Sequence, residues 1–190
     1  MKTTPKQSEH INLGVTYFQN GDFENAIEEL SKEIKLNPKN ADVYCSRGMA
    51  YIQLGQNEQG INDLSEAIKI NPKDSSYFSD RGTAYLKLGQ FENGINDFTT
   101  AIRLNPKDDS NYSSRGFIYT QLGQHDLAII DLTKAIKLNP NDVRAHMSRG
   151  VSFMTLGQND KAKKDLEKVI SMNPDNTIQT YARNMLINLG

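Results

Sequence analysis

Five Asn-Pro pairs recur at one unvarying interval: Asn37-Pro38, Asn71-Pro72, Asn105-Pro106, Asn139-Pro140 and Asn173-Pro174. Two glycine columns keep the same step, Gly14, Gly48, Gly82, Gly116, Gly150 and Gly21, Gly55, Gly89, Gly123, Gly157. A period this strict, without insertions, belongs to a repeat array, in which each unit buries its apolar face only against its neighbours. The 190 residues therefore read as one continuous solenoid instead of one or two compact domains.

The unit from Ala41 to Asp74 shows what is repeated. Tyr44, Gly48, Tyr51 and Leu54 are spaced three and four apart, which places them on one helical face. Gly55 follows as a left-handed helix terminator. Ile61, Leu64, Ala67, Ile68 and Ile70 form a second amphipathic helix, ended at Asn71 because a residue before proline is pushed out of helical geometry. Asn40, Asp74, Asp108, Asp142 and Asn176 stand where the next helix begins, each able to accept from orphan backbone N–H groups. Small residues are expected to meet where the two helices of a unit cross: Gly48 with Gly60, Gly14 with Ala26, Gly82 with Gly94, Gly116 with Ala128 and Gly150 with Ala162.

The pattern Tyr44, Gly48, Tyr51, Leu54-Gly55, Ala67 and Pro72, recurring at that constant interval, resembles the tetratricopeptide repeat. The resemblance covers 7–40, 41–74, 75–108, 109–142 and 143–176 as five repeats, after a tail at 1–6. It makes 177–190 a capping helix with an apolar face of Ala182, Met185, Leu186 and Leu189. It implies an all-α, right-handed superhelical solenoid of antiparallel helix pairs, and a non-catalytic scaffold for protein–protein interaction.

Composition narrows the partners. Net charge is −1, so there is no basic excess to neutralise a phosphate backbone, and nucleic acid is not expected as a partner. No apolar run has the length of a membrane span, so no membrane insertion is expected. The stretch Met1-Lys2-Thr3-Thr4-Pro5-Lys6-Gln7 lacks the apolar segment of a secretion signal, and a cytoplasmic location is expected; a periplasmic or secreted protein whose signal had been removed would read alike. The single cysteine, Cys45, offers no disulfide or cysteine cluster, and His10, His125 and His146 form no ligand-spaced pair. No catalytic, cofactor-binding or metal-binding residue is expected. The aromatic column Tyr17, Tyr51, Tyr85, Tyr119 and Phe153 reads as core packing, and no serine or threonine is placed beside a base and an acid.

One departure from the family repeats. Where it often carries Leu on the first helix, four repeats have Arg47, Arg81, Arg115 and Arg149, each followed sixteen residues later by an aspartate: Asp63, Asp97, Asp131 and Asp165. The first repeat has Leu13 and Glu29 instead. Buried charges need partners, and the matched columns read as structural ion pairs; the alternative is an arginine ladder for an acidic ligand.

In this family the first helices line a groove that holds a peptide segment or partner helix. The resemblance assigns to it Asn12 and Val15 in repeat one, Cys45, Met49 and Gln53 in repeat two, and Ser79, Asp80, Thr83 and Lys87 in repeat three. Repeat four contributes Ser113, Ser114, Phe117 and Gln121, and repeat five Arg144, Met147, Ser148 and Val151. The family's two-carboxylate clamp for the acidic tails of heat-shock chaperones needs Lys, Asn, Asn, Lys and Arg. Its slots here hold Ile11, Val15, Ser46, Ser76 and Asp80, or in later registers Cys45, Met49, Asp80, Ser110 and Ser114, or Ser79, Thr83, Ser114, Arg144 and Ser148. The usual chaperone tail is therefore not expected, and the partner stays an unidentified protein or peptide. Two alternatives remain open: a self-assembling scaffold, or the repeat segment of a larger enzyme or receptor.

Overall fold

The computed structural model describes residues 8–189; the tail expected at 1–6 lies outside them. Eleven helices run in order: α1 (Glu9–Gln19), α2 (Phe23–Leu36), α3 (Ala41–Gln53), α4 (Asn57–Ile70), α5 (Ser75–Lys87), α6 (Phe91–Leu104), α7 (Asp109–Gln121), α8 (His125–Leu138), α9 (Val143–Thr155), α10 (Asn159–Ser171) and α11 (Asn176–Asn188). Among the described residues there is no strand, and the chain is an all-α repeat array. Its boundaries follow from local chemistry that the repeat copies five times.

The turn inside each repeat is built on the second glycine column, whose φ lies between +69° and +77°. In the second repeat the Gln56 amide donates to the Tyr51 carbonyl at 2.9 Å and the Gly55 amide to that of Ile52 at 3.1 Å. That paired closure of the helix end requires a left-handed residue, which glycine supplies without a Cβ penalty. Between repeats, Asn40, Asp74, Asp108 and Asp142 cap α3, α5, α7 and α9 through their side chains. The asparagine of the Asn-Pro pair adds something the sequence reading did not assign. Asn71, Asn105 and Asn139 each accept, across the proline, from the backbone N–H two residues on, at 3.2–3.4 Å. Proline has no N–H of its own, so the asparagine side chain closes the turn over it.

The last junction differs. Asp175, not Asn176, caps α11, accepting from the Thr177 and Ile178 amides, and Asn176 is the first helical residue. Asn173 adopts φ +53°, in contrast to the φ of −130° to −134° at Asn37, Asn71 and Asn139. Two adjacent residues there can cap, and the one nearer the proline wins; asparagine tolerates the left-handed conformation this demands.

The chain divides into two units, residues 1–97 and 98–190, with the division inside α6. In the first unit α1 pairs with α2 and α3 with α4, while α2 packs on α3 and α4 on α5. Leu30, Leu64, Ala26, Ala67 and Val43 are buried at its centre. In the second unit α7 pairs with α8 and α9 with α10, and α11 covers α10. Ala182 and Met185 of α11 close over Leu166 and Val169.

The helix crossings refine the small-residue expectation. A Cβ on Gly48 would stand 2.9 Å from the Gly60 carbonyl oxygen, and one on Gly60 would stand 2.7 Å from that of Gly48, so this pair meets backbone to backbone. At Gly14 and Gly116 the nearest obstacle is instead a leucine, Leu30 or Leu132, at 2.7 Å. At Gly150 nothing lies closer than 3.5 Å, which leaves room for a methyl group.

Candidate functional site

The arginine and aspartate columns meet in all four repeats that carry them. Arg47 donates Nε to Asp63 Oδ2 at 2.7 Å and Nη2 to Oδ1 at 2.8 Å. Arg81 with Asp97, Arg115 with Asp131 and Arg149 with Asp165 repeat the fork at 2.7–2.9 Å. The remaining donor, Nη1, reaches a hydroxyl sixteen residues earlier: Ser31, Ser65, Thr99 or Thr133, at 2.8–3.0 Å. These hydroxyls form a further column at the repeat interval that the sequence reading passed over, although it was visible as Ser, Ser, Thr, Thr at one position. Each arginine thus fastens the second helix of its own repeat to that of the repeat before.

Electrostatics agrees with a structural role. The hydrogen bond to Asp63 holds the Arg47 guanidinium above its ordinary range against the opposing effect of burial. Asp97 does the same for Arg81. Burial pulls Arg115 down, but the Asp131 hydrogen bond and charge, with Tyr119 and Tyr112, together hold its guanidinium above the ordinary range. Burial pushes Asp165 up, yet hydrogen bonds from Arg149 and His146 bring its carboxyl below the usual range. His146 stands at the position of Tyr44, Tyr112 and Phe78, with Nδ1 2.8 Å from Asp165 Oδ1 and Nε2 3.2 Å from the Pro140 carbonyl. In the first repeat, which lacks the arginine, His10 takes over as the partner, with Nδ1 2.6 Å from Glu29 Oε2.

The expected groove residues separate into those facing solvent and those taken up by packing. In the first unit Asn12, Gln53, Thr83 and Lys87 are exposed, and Val15, Cys45, Met49, Ser79 and Asp80 are half-buried. Val15, Cys45 and Met49 are brought together, since with Gly14, Phe18, Gln19 and Ser46 they line a cavity of about 340 Å³ between α1 and α3. A second cavity of about 650 Å³ continues past Val15 and Ser46, walled by Ser8, Ile11, Leu30 and Val43. An opening of about 680 Å³ over the inter-repeat turns shares Asn37, Asn40 and Asp42 with it.

Cys45 and Asp80 are joined to each other, the thiol donating to Oδ2 at 3.3 Å. Burial, then the Asp80 charge, pushes the Cys45 thiol far up, so it stays un-ionised and is no nucleophile at neutral pH. The Tyr77 hydroxyl donates to Asp42 in a short hydrogen bond. Burial and that bond push the Tyr77 phenol well above its usual range.

In the second unit Gln121 and Arg144 are exposed, and Phe117 is half-buried. Ser113, Ser114 and Ser148 are buried at 0%, 7% and 5% exposure. Arg144 donates to Ser114 Oγ at 3.2 Å, and Thr120 and Ser152 meet at 3.1 Å where α7 packs on α9. Met147 and Val151 lie against the Leu166–Met185 cluster. Small hydroxyl side chains on α7 and α9 therefore serve close helix contact. Among the described residues no group of three or more acidic, histidine or cysteine side chains is arranged to hold a metal ion, and no helix is long and apolar enough to cross a membrane.

The repeat geometry and the sequence period agree with the family models. The model described as TPR repeat matches residues 14–55, 48–89, 82–123 and 116–157, and the one described as Tetratricopeptide repeat matches 143–176. The chain belongs to the tetratricopeptide repeat family. Its members are protein-interaction scaffolds that bind protein or peptide partners, and the fold is generally non-catalytic.

Solved tetratricopeptide structures resemble it closely. MamA is 26% identical with a TM-score of 0.78, over 84% of this chain and 94% of MamA. YrrB, described as a TPR protein with an unusual peptide-binding site, is 21% identical with a TM-score of 0.76, over 92% and 90% of the two chains. A tetratricopeptide repeat protein from Parabacteroides merdae is 24% identical with a TM-score of 0.82, over 95% of this chain and 72% of its own. No curated protein matches the chain.

Proposed function

We propose that this chain binds an extended segment or a helix of a partner protein along the first helices of its amino-terminal repeats, and that it does no chemistry of its own. The observation that carries this reading is the pair of adjoining cavities between α1 and α3, which share Val15 and Ser46. Concave sites with apolar walls and a few polar groups are where ligands bury most surface. Gly14 and Ser46 keep the floor open, while Met49 offers a pliable apolar contact. The description of YrrB as peptide-binding lends the reading support by analogy of fold. The missing carboxylate clamp directs it away from the usual acidic chaperone tail.

The test is affinity capture with the intact protein, followed by Gln53→Arg and Thr83→Arg. Both positions are exposed on the face of α3 and α5 assigned to the groove. Binding should fall at least tenfold with melting unchanged. Parental affinity in both variants, with loss instead from changes at Asn62 on α4, would place the site elsewhere.

Self-association is a second reading, favoured by Tyr181 and Ile187 of α11, which are 56% and 75% exposed. A molar mass by light scattering that stays monomeric over a wide concentration range would remove it.

A further inference from the structure

Glu33 breaks a column. The equivalent position of the later repeats holds Ala67, Ala101, Ala135 and Val169, all buried apolar residues. Glu33 is just as buried, at 1% exposure, but carries a carboxylate where its counterparts carry a methyl or isopropyl group. One oxygen is satisfied: Oε1 accepts from the Asn37 amide at 2.6 Å. That bond employs the side chain which in other repeats closes the turn over proline. Oε2 is buried with no hydrogen-bond partner. Ser8 first and Asn37 second hold the carboxyl below its ordinary range. The group is therefore an anion with one lone-pair face unanswered. Buried polar atoms are nearly always paired, and an unpaired carboxylate oxygen is costly.

Glu33 is one of the residues lining the 650 Å³ cavity between α1 and α3. The other lining groups are Ser8, Ile11, Val15, Leu30 and Val43 on the inside, and Asn37, Asn40, Asp42 and Ser46 toward the rim. Apolar walls leading to a single anion, with a second carboxylate at Asp42, complement a long apolar stem ending in a cation. Among the described residues, the basic group that acts on Glu33 is His10, whose Nδ1 is engaged by Glu29.

We propose that the cavity takes a basic side chain, a lysine of the partner's bound segment, whose ammonium pairs with Glu33 Oε2 while its methylenes lie along Ile11, Val15 and Val43. This rests on the groove reading above and specifies what enters it. A charge-assisted hydrogen bond in a low-dielectric pocket is roughly twice as strong as a neutral one, so one lysine would anchor the segment and set its register. Because the other repeats carry alanine or valine at this position, the anchor is peculiar to the amino-terminal repeat.

The test is an NMR titration of the full chain with N-acetyl-lysine methylamide, and with N-acetyl-norleucine methylamide as the uncharged probe of similar shape. The lysine probe should produce saturable shifts at the Ser8, Ile11, Val15, Asn37 and Val43 amides, and the norleucine probe should bind about tenfold more weakly or worse. Glu33→Gln and Glu33→Ala should each weaken the lysine probe about tenfold or more. Glu33→Ala restores the residue of the other repeats and should not lower the melting temperature, which keeps the test independent of folding. Equal response to both probes, no response at these amides, or unchanged lysine binding in both variants would overturn the proposal. So would lysine-probe binding seen only after removal of residues 1–7, since the chain's own amines would then be the occupant. Loss of the partner in Gln53→Arg alongside a failed lysine titration would leave the groove reading standing and remove only the role of Glu33.

Discussion

Arginine 81 shows how a charged residue becomes part of the framework. Its guanidinium commits three donors to Asp97 and Ser65 and lies 5.9 Å from the centre of the Tyr85 ring. Removing one partner of a buried pair leaves the other charged and unanswered. Arg81→Ala should therefore lower stability by about 3 kcal/mol, read from chemical unfolding. Replacing Arg81 and Asp97 together by Met and Leu should recover most of that loss; a double variant as unstable as the single one would contradict the pairing. Asp80 behaves oppositely. Burial raises its carboxyl above the ordinary value of 3.8, the Cys45 thiol partly offsets this, and Asp74 adds to it. A folded-state value above the unfolded one means that folding favours the protonated acid. Its stabilising share is present below the unfolded value and is lost as pH rises through the folded one. Asp80→Asn should accordingly raise the melting temperature at pH 7.5 and give a smaller gain near pH 4. An equal or larger gain at acid pH would contradict the burial argument.

At the scale of the helix, the constant repeat interval carried most of the information. It located the turns at Gly21 and Gly55, the caps at Asn40 and Asp74, and the matched columns of Arg47 and Asp63, because each depends on a backbone conformation or a charge that only a few residue types supply. Features that depend on what stands opposite in space were less legible. Nothing in the sequence distinguishes Ser113, buried in packing, from Ser79, half-buried in the other unit. The shift of the last cap to Asp175 was equally hidden, since Asp175 and Asn176 are both competent. Glu33 was visible as an exception to the alanine column, but its meaning needed the cavity beside it. The glycine crossings give a direct check on this scale. Gly150→Ala should stabilise by about 0.5–1 kcal/mol, because alanine is the better helix former and its methyl group fits the 3.5 Å space. Gly48→Ala should destabilise, because its methyl group meets the Gly60 carbonyl at 2.9 Å. Thermal melting of the two variants should move in opposite directions, and a common direction would mean that the helix pair adjusts freely.

For the molecule as a whole, the proposed function separates the residues that join the repeats from the exposed positions of the first helices. The arginine, aspartate and hydroxyl columns fasten neighbouring repeats, and Asn12, Gln53 and Thr83, exposed on the first helices, take no part in those contacts. The arginines depart from the leucine that the family often carries and belong to this chain's own framework; the proposed partner contact is assigned to the exposed positions. The central claim, that the partner lies along the first helices, is tested most directly by site-specific photo-crosslinking in the intact protein. A benzophenone amino acid would be placed in turn at Asn12, Gln53 and Thr83 on α1, α3 and α5, and at Glu24, Glu58 and Asn62 on α2 and α4, all exposed. The account predicts that the captured partner crosslinks from the first three positions and not from the last three; crosslinks confined to α2 and α4 would contradict it.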